Sequence, residues 1–123
     1  MAFDMTTFNV TRVAGVDLSS AQYHCVKQNT SGAAVLCNTA GESVFGILLN
    51  DPLNNQSAAI AVTGVAKVVA GGAIAIGNLL SVNAQGRLIV ATAGKKIIGE
   101  AMSSATDDGQ MLSVLLRNGA ASA

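Results

Sequence analysis

The octapeptide TAGESVFG, Thr39 to Gly46, returns as TAGKKIIG at Thr92 to Gly99, an offset of 92 − 39 = 53 residues. In each copy the glycine of the TAG triplet, Gly41 or Gly94, falls where a tight turn needs φ > 0, a conformation glycine adopts without a Cβ penalty. The following apolar pair re-enters a strand. Gly46 or Gly99 then lies inside that strand, which predicts a bulge or a close approach of backbone. The agreement extends beyond the octapeptides: Gly32 stands opposite Gly86 (86 − 32 = 54), AAVLC opposite RLIVA, and NDPLNNQS opposite SSATDDGQ. One repeat at this offset predicts two similar β units packed together, not a solenoid, which needs three or more.

Between the glycines the segments are short and rich in β-branched residues, a pattern of strands and not of helices. QYHCVKQ, the turn NTSG and AAVLC read as a hairpin whose turn ends at Gly32. SVFGILL follows, Asp51-Pro52 ends that strand, and AAIAVTGVAKVVA forms the next one. The second half runs NLLSV, NAQG, RLIVA, TAGKK, IIGEAM, the polar loop SSATDDGQ, and a closing MLSVLLR. The expected fold is all-β: a small barrel or sandwich of two related units over residues 13–118. An extended arm is expected over 1–12, where Phe3 and Phe8 stand isolated among polar residues, and a frayed tail over 119–123.

At 123 residues the chain suits one domain. Half of it is hydrophobic, but aromatics make up 3% and there is no Trp, so the core is assembled from small aliphatic pieces. Charged residues are 11%, against roughly 25% in ordinary soluble domains. With zero net charge, that balance points to an oligomer or to a subunit docked on something larger. Seven scattered Lys and Arg form no electrostatic footprint for nucleic acid or for an anionic membrane. The long uncharged run between Lys67 and Arg87 contains Gly71, Gly72, Gly77, Gly86 and three amide side chains, which excludes a membrane helix. The opening MAFDMTTFNVTR has no basic-then-apolar leader; a cytosolic protein is expected, with Cys25 and Cys37 as free thiols.

Catalytic chemistry finds little to work with. His24 is the only histidine, and neighbours on a strand point to opposite faces, so it should not meet Cys25. Asp107 and Asp108 in TDDG suit a turn better than a metal, which needs several spaced oxygen ligands. GGAIAIGNLL from Gly71 spaces its glycines like a phosphate loop but has Asn78-Leu79 where Lys-Ser/Thr is required. The TAG turns carry Glu42-Ser43 in one copy and Lys95-Lys96 in the other, which reads as solvated turn tips. No enzyme activity, cofactor or metal is expected.

The run from Gly64 to Asn118, GVAKVVAGGAIAIGNLLSVNAQGRLIVATAGKKIIGEAMSSATDDGQMLSVLLRN, resembles the capsid decoration, or cement, proteins of tailed bacteriophages. Those chains commonly read G-x-x-x-V-x-A-G-G-x-I-x-x-G-x-x-L, then D/N-x-x-G-R, then I-x-G-x-A, then a D/G turn and an apolar strand. Asn78 replaces the customary acidic residue after the I-x-x-G turn. The likeness covers about residues 8 to 118. It implies a non-enzymatic β domain, trimeric in many relatives, that binds the major capsid protein on the outside of the head after assembly in the host cytoplasm. Phe3, Phe8 and Val10 are then the expected capsid contacts. Two other functions fit the residues: a small-molecule-binding or enzyme-accessory barrel using the Gly71 to Asn78 loop, and another virion part such as a head-fibre base or tail component.

Overall fold

The computed structural model describes the backbone of residues 5–116 and the side chains from Asn9 onward. Its strands are β1 (Met5–Val13), β2 (Cys25–Gln28), β3 (Ala34–Leu36), β4 (Gly46–Leu48) and β5 (Ser57–Val69), followed by β6 (Leu79–Val82), β7 (Leu88–Val90), β8 (Gly99–Ala101) and β9 (Met111–Leu116). No helix forms among the described residues. The strands make one antiparallel sheet in the order β3-β2-β4-β5-β9-β8-β6-β7, with β1 also paired to β5, and the sheet curls into a half-barrel.

This order is a palindrome about the β5–β9 pair. β2, β3 and β4 of one half occupy the places of β6, β7 and β8 of the other, so the repeat in the sequence is a repeat in space. β5 belongs to both units. Its first half lies between β4 and β1, with Ile60 opposite both Leu48 and Val10; its second half pairs with β9 from Val69↔Met111 to Gly64↔Leu116. The second half of β5 is therefore to β9 what β1 is to the first half. Ala14, after β1, and Ala70, after β5, show the same equivalence: their amides donate to Gln56 O at 2.8 Å and Gln110 O at 2.7 Å.

Backbone conformation repeats more faithfully than side chains do. Nine described residues have positive φ, and eight of them form four matched pairs: Tyr23 (65°) with Gly77 (89°), Gly32 (83°) with Gly86 (77°), Gly41 (75°) with Gly94 (84°), and Asn55 (70°) with Gly109 (93°). The hairpin turns match atom for atom. Asn29 Oδ1 accepts from the amides of Ser31 and Ala33, both at 3.0 Å, and Asn83 Oδ1 from those of Gln85 and Arg87, both at 2.9 Å. A local side-chain acceptor of this kind sets the turn without help from the rest of the fold.

Two sequence expectations are altered. The sequence predicts an extended arm over residues 1–12; from Met5 onward the chain is strand β1, paired with β5 as far as Val13↔Ser57. Strand QYHCVKQ begins only at Cys25, because Tyr23 at φ 65° breaks the extended run.

The core has two parts. One, Ala14, Leu18, Val26, Ala34, Leu48, Ala58 and Ile60 with Ala21, belongs to the first unit. The seven residues matched to its first seven members, Ala70, Ile74, Leu80, Leu88, Ala101, Leu112 and Val114, all lie in the larger cluster. That cluster also takes in Cys25, Cys37, Ile47 and Ala61 from the first unit, so it fills the space between the units.

Candidate interaction surface

Gly46 and Gly99 hold equivalent places at the starts of β4 and β8. A Cβ on Gly46 would overlap the Ala61 carbonyl oxygen and approach Ile60 Cγ2 to 2.5 Å; one on Gly99 would overlap the Leu115 carbonyl oxygen and approach Val114 Cγ1 to 2.7 Å. Backbone packs against backbone here, which only glycine permits. The turns of Gly41 and Gly94 differ in surroundings. A Cβ on Gly94 would meet nothing within 4 Å, whereas Gly41 is wedged against the Lys95 side chain. Its amide donates to Val82 O at 2.8 Å and its carbonyl accepts from Lys96 N at 3.2 Å. The first TAG turn thus docks on the second unit.

Glu42 is not a solvated tip. One carboxylate oxygen takes Lys27 Nζ at 2.8 Å, and the other takes the amides of Asn38 and Thr39, each at 2.8 Å. Burial pushes this carboxyl up, but the Lys27 bond and the amides of Thr39 and Asn38 outweigh it and hold it below the usual carboxylate range. His24 is buried, with Nδ1 3.0 Å from Gln22 O and Nε2 accepting from Arg87 Nε at 3.3 Å. Arg87 also pairs with Asp108 at 2.7 Å, which gives that turn carboxylate an ionic partner. Among the described residues no group of three or more His, Cys, Asp or Glu comes together.

Cys25 and Cys37 are free and buried. Burial, reinforced by the nearby Cys37, raises the Cys25 thiol well above its ordinary value. Burial, then the Glu42 charge, pushes Cys37 up to about 12 against the opposing pull of Lys27. Neither is a nucleophile at neutral pH.

Of the expected capsid contacts, Phe3 lies outside the described residues. The backbone of Phe8 stands opposite Thr63, at an irregularity of the β1–β5 ladder, and Val10 is half-buried opposite Ile60. The Gly71 to Asn78 loop is pinned by backbone: the Ile74 amide donates to Ala105 O and the Gly77 amide to Ala101 O, both at 2.8 Å. The surface feature that sequence reasoning passed over is apolar. Val13, Leu53, Ile76, Leu79, Val90 and Leu115 are all exposed, and Leu79 and Leu115 flank Glu100 in one row across β6, β8 and β9.

Exposed apolar side chains thus lie in register on a sheet that carries few charges. In comparison with known families, the sequence pattern of the phage cement proteins matches residues 9–117. The chain belongs to the phage cement protein family. It is accordingly a structural protein of the phage virion, associated with the capsid. No match is found among curated proteins. Among solved structures this family member is similar to the N base of the head fiber gp8.5 of bacteriophage phi29, with a TM-score of 0.62 over 91% of this chain and 95% of that one. Identity is 16%, so the two share a fold and little side-chain detail.

Proposed function

We propose that the chain binds the outer surface of the phage head as a trimer and reinforces contacts between major capsid protein subunits, without catalysing a reaction. The observation that carries this reading is the family match over residues 9–117, which takes in β2 to β9 and most of β1. Low charge and an aliphatic surface support it, since many identical weak contacts on a closed shell add by avidity. The N-terminal segment, with Phe3, Phe8 and Val10, supplies part of the contact by laying an extended chain along the shell. Because β1 is built into the sheet from Met5, the informative deletion removes residues 1–4 and not the first ten.

Cosedimentation of the purified protein with expanded, undecorated heads tests the reading. Saturable binding and slower heat rupture of the heads are expected; no binding at any concentration refutes it. Removing residues 1–4 should weaken binding while leaving the fold unchanged, and unchanged binding would relieve Phe3 of its role. The likeness to a head-fiber base favours one other virion reading, in which this domain roots a longer appendage. Imaging decorated heads separates the two, since a cap that ends at the domain surface excludes an appendage.

A further inference from the structure

Two open surfaces of the molecule are the two halves of a contact that the chain already makes internally. In the first unit the row Cys25–Ile47–Ala61, in register across β2, β4 and β5, is 0% exposed. It lies in one cluster with Val82, Ile98 and Leu116 of the second unit. The equivalent row of the second unit is Leu79–Glu100–Leu115. This row is open: Leu79 is 46% and Leu115 39% exposed.

The complementary half lies on the first unit. Val82 and Ile98 correspond to Gln28 and Phe45 (82 − 28 = 54; 98 − 45 = 53). With Lys27, Glu42, Ser43 and Val44, these two line an open groove of about 370 Å³. Val69 tells the same story. It is 8% exposed and its amide donates to Tyr23 O at 3.0 Å, whereas its counterpart Val13 is 52% exposed.

We infer that the Leu79–Leu115 row of one copy docks in the Gln28–Phe45 groove of the next, repeating between chains the contact made between units within one. The occupant is a second copy of this chain because each surface is the counterpart of one side of a contact whose two sides are both present here, in matched register. Within the chain the Cys25 amide donates to Gly86 O at 2.7 Å, and a Cβ on Gly86 would touch Leu36 Cδ1 at 2.6 Å. Between chains this sets the Gly32 carbonyl at the Leu79 amide and Gly32 itself against Val90. The two surfaces differ, so the contact is head-to-tail and must close into a ring or run on as a filament. The inference rests on the trimeric reading above, in which three chains place six units around one axis. Where Arg87 meets His24 inside the chain, the intermolecular counterparts are Ala33 and Asn78, so the contact between chains lacks that bond and is the weaker of the two.

Sedimentation velocity of the full chain at micromolar concentrations tests the inference together with site-specific cross-linking. The double variant Leu79→Asp, Leu115→Asp should weaken association about a hundredfold or more, given the apolar burial it forfeits, with an unchanged circular dichroism spectrum. A benzophenone side chain in place of Val90 should cross-link to residues 29–33 of another copy. A wild-type chain that stays monomeric, a double variant that assembles like wild type, or cross-links that map to the β6–β7 edge of the second copy would each overturn the inference. If the double variant assembles normally but no longer binds expanded heads, the row belongs to the shell: this inference fails and capsid binding stands. A wild type that assembles through these residues yet ignores heads refutes capsid binding and leaves the inference intact.

Discussion

At Gly94, φ is 84° and open space lies where a side chain would go. Gly94→Ala therefore isolates the backbone penalty of the left-handed region, about 1 to 2 kcal/mol, readable as a lower urea midpoint with an unchanged slope. Gly99→Ala adds a different cost, because its Cβ would overlap the Leu115 carbonyl oxygen and β8 must shift away from β9; about 1 to 3 kcal/mol is expected. If Gly99→Ala proved neutral, the close approach of backbones would be wrong. Glu42 governs the acid limb of stability. Its folded value lies below the ordinary one, so it stabilises the fold above the unfolded carboxyl value of about 4.3 and loses that contribution as the pH falls through the folded value. Glu42→Gln should lower stability at neutral pH and flatten the decline on acidification, measured as urea midpoints between about pH 7 and about pH 2.

Among the elements, matched strands carry different side-chain volumes on the same backbone. Leu48 and Ala58 of the first unit correspond to Ala101 and Leu112 of the second, and all four are buried. Leu112→Ala alone should cost about 2 to 5 kcal/mol through lost burial and a residual cavity. Adding Ala101→Leu recreates the first unit's combination and should recover part of that loss. The non-additivity is the measurable quantity, and strict additivity would show that the two sites do not share one space. At this scale the sequence was largely readable. Strands β2 to β9, the hairpin turns at Asn29 and Asn83, and the pairing of the two halves follow from period-two apolar patterning and glycine placement, which are local signals. Tyr23 was not readable as a left-handed residue, since only its partner Gly77 advertises the conformation. Nor did the pattern show that β5 serves both units, because a strand reads the same whether one neighbour or three flank it.

For the molecule as a whole, the shared β5 and the cluster that contains Cys25, Cys37, Val82 and Leu116 leave no boundary at which one unit could unfold alone. A single cooperative transition is expected. Both thiols are buried and raised, so they should resist a disulfide reagent at about pH 8 and become reactive in one phase that coincides with loss of the β signal. Early labelling of either cysteine in the native state would contradict this, and two separate transitions would mean that the units are independent.

The division between sequence and tertiary structure follows from what each kind of interaction needs. Strand positions, left-handed glycines and the duplicated script are set by residues a few positions apart, and the sequence determined them by itself. Burial depends on what lies above a strand. Cys25–Ile47–Ala61 and Leu79–Glu100–Leu115 occupy equivalent rows, yet one is sealed and the other open, because the second unit packs on the first of these rows. Glu42 was readable as a charged turn residue, but only the fold brings Lys27 and two amides to its oxygens. The TAG repeat announced two copies of one unit; their order in space decided which apolar row the chain covers itself and which it leaves for another molecule.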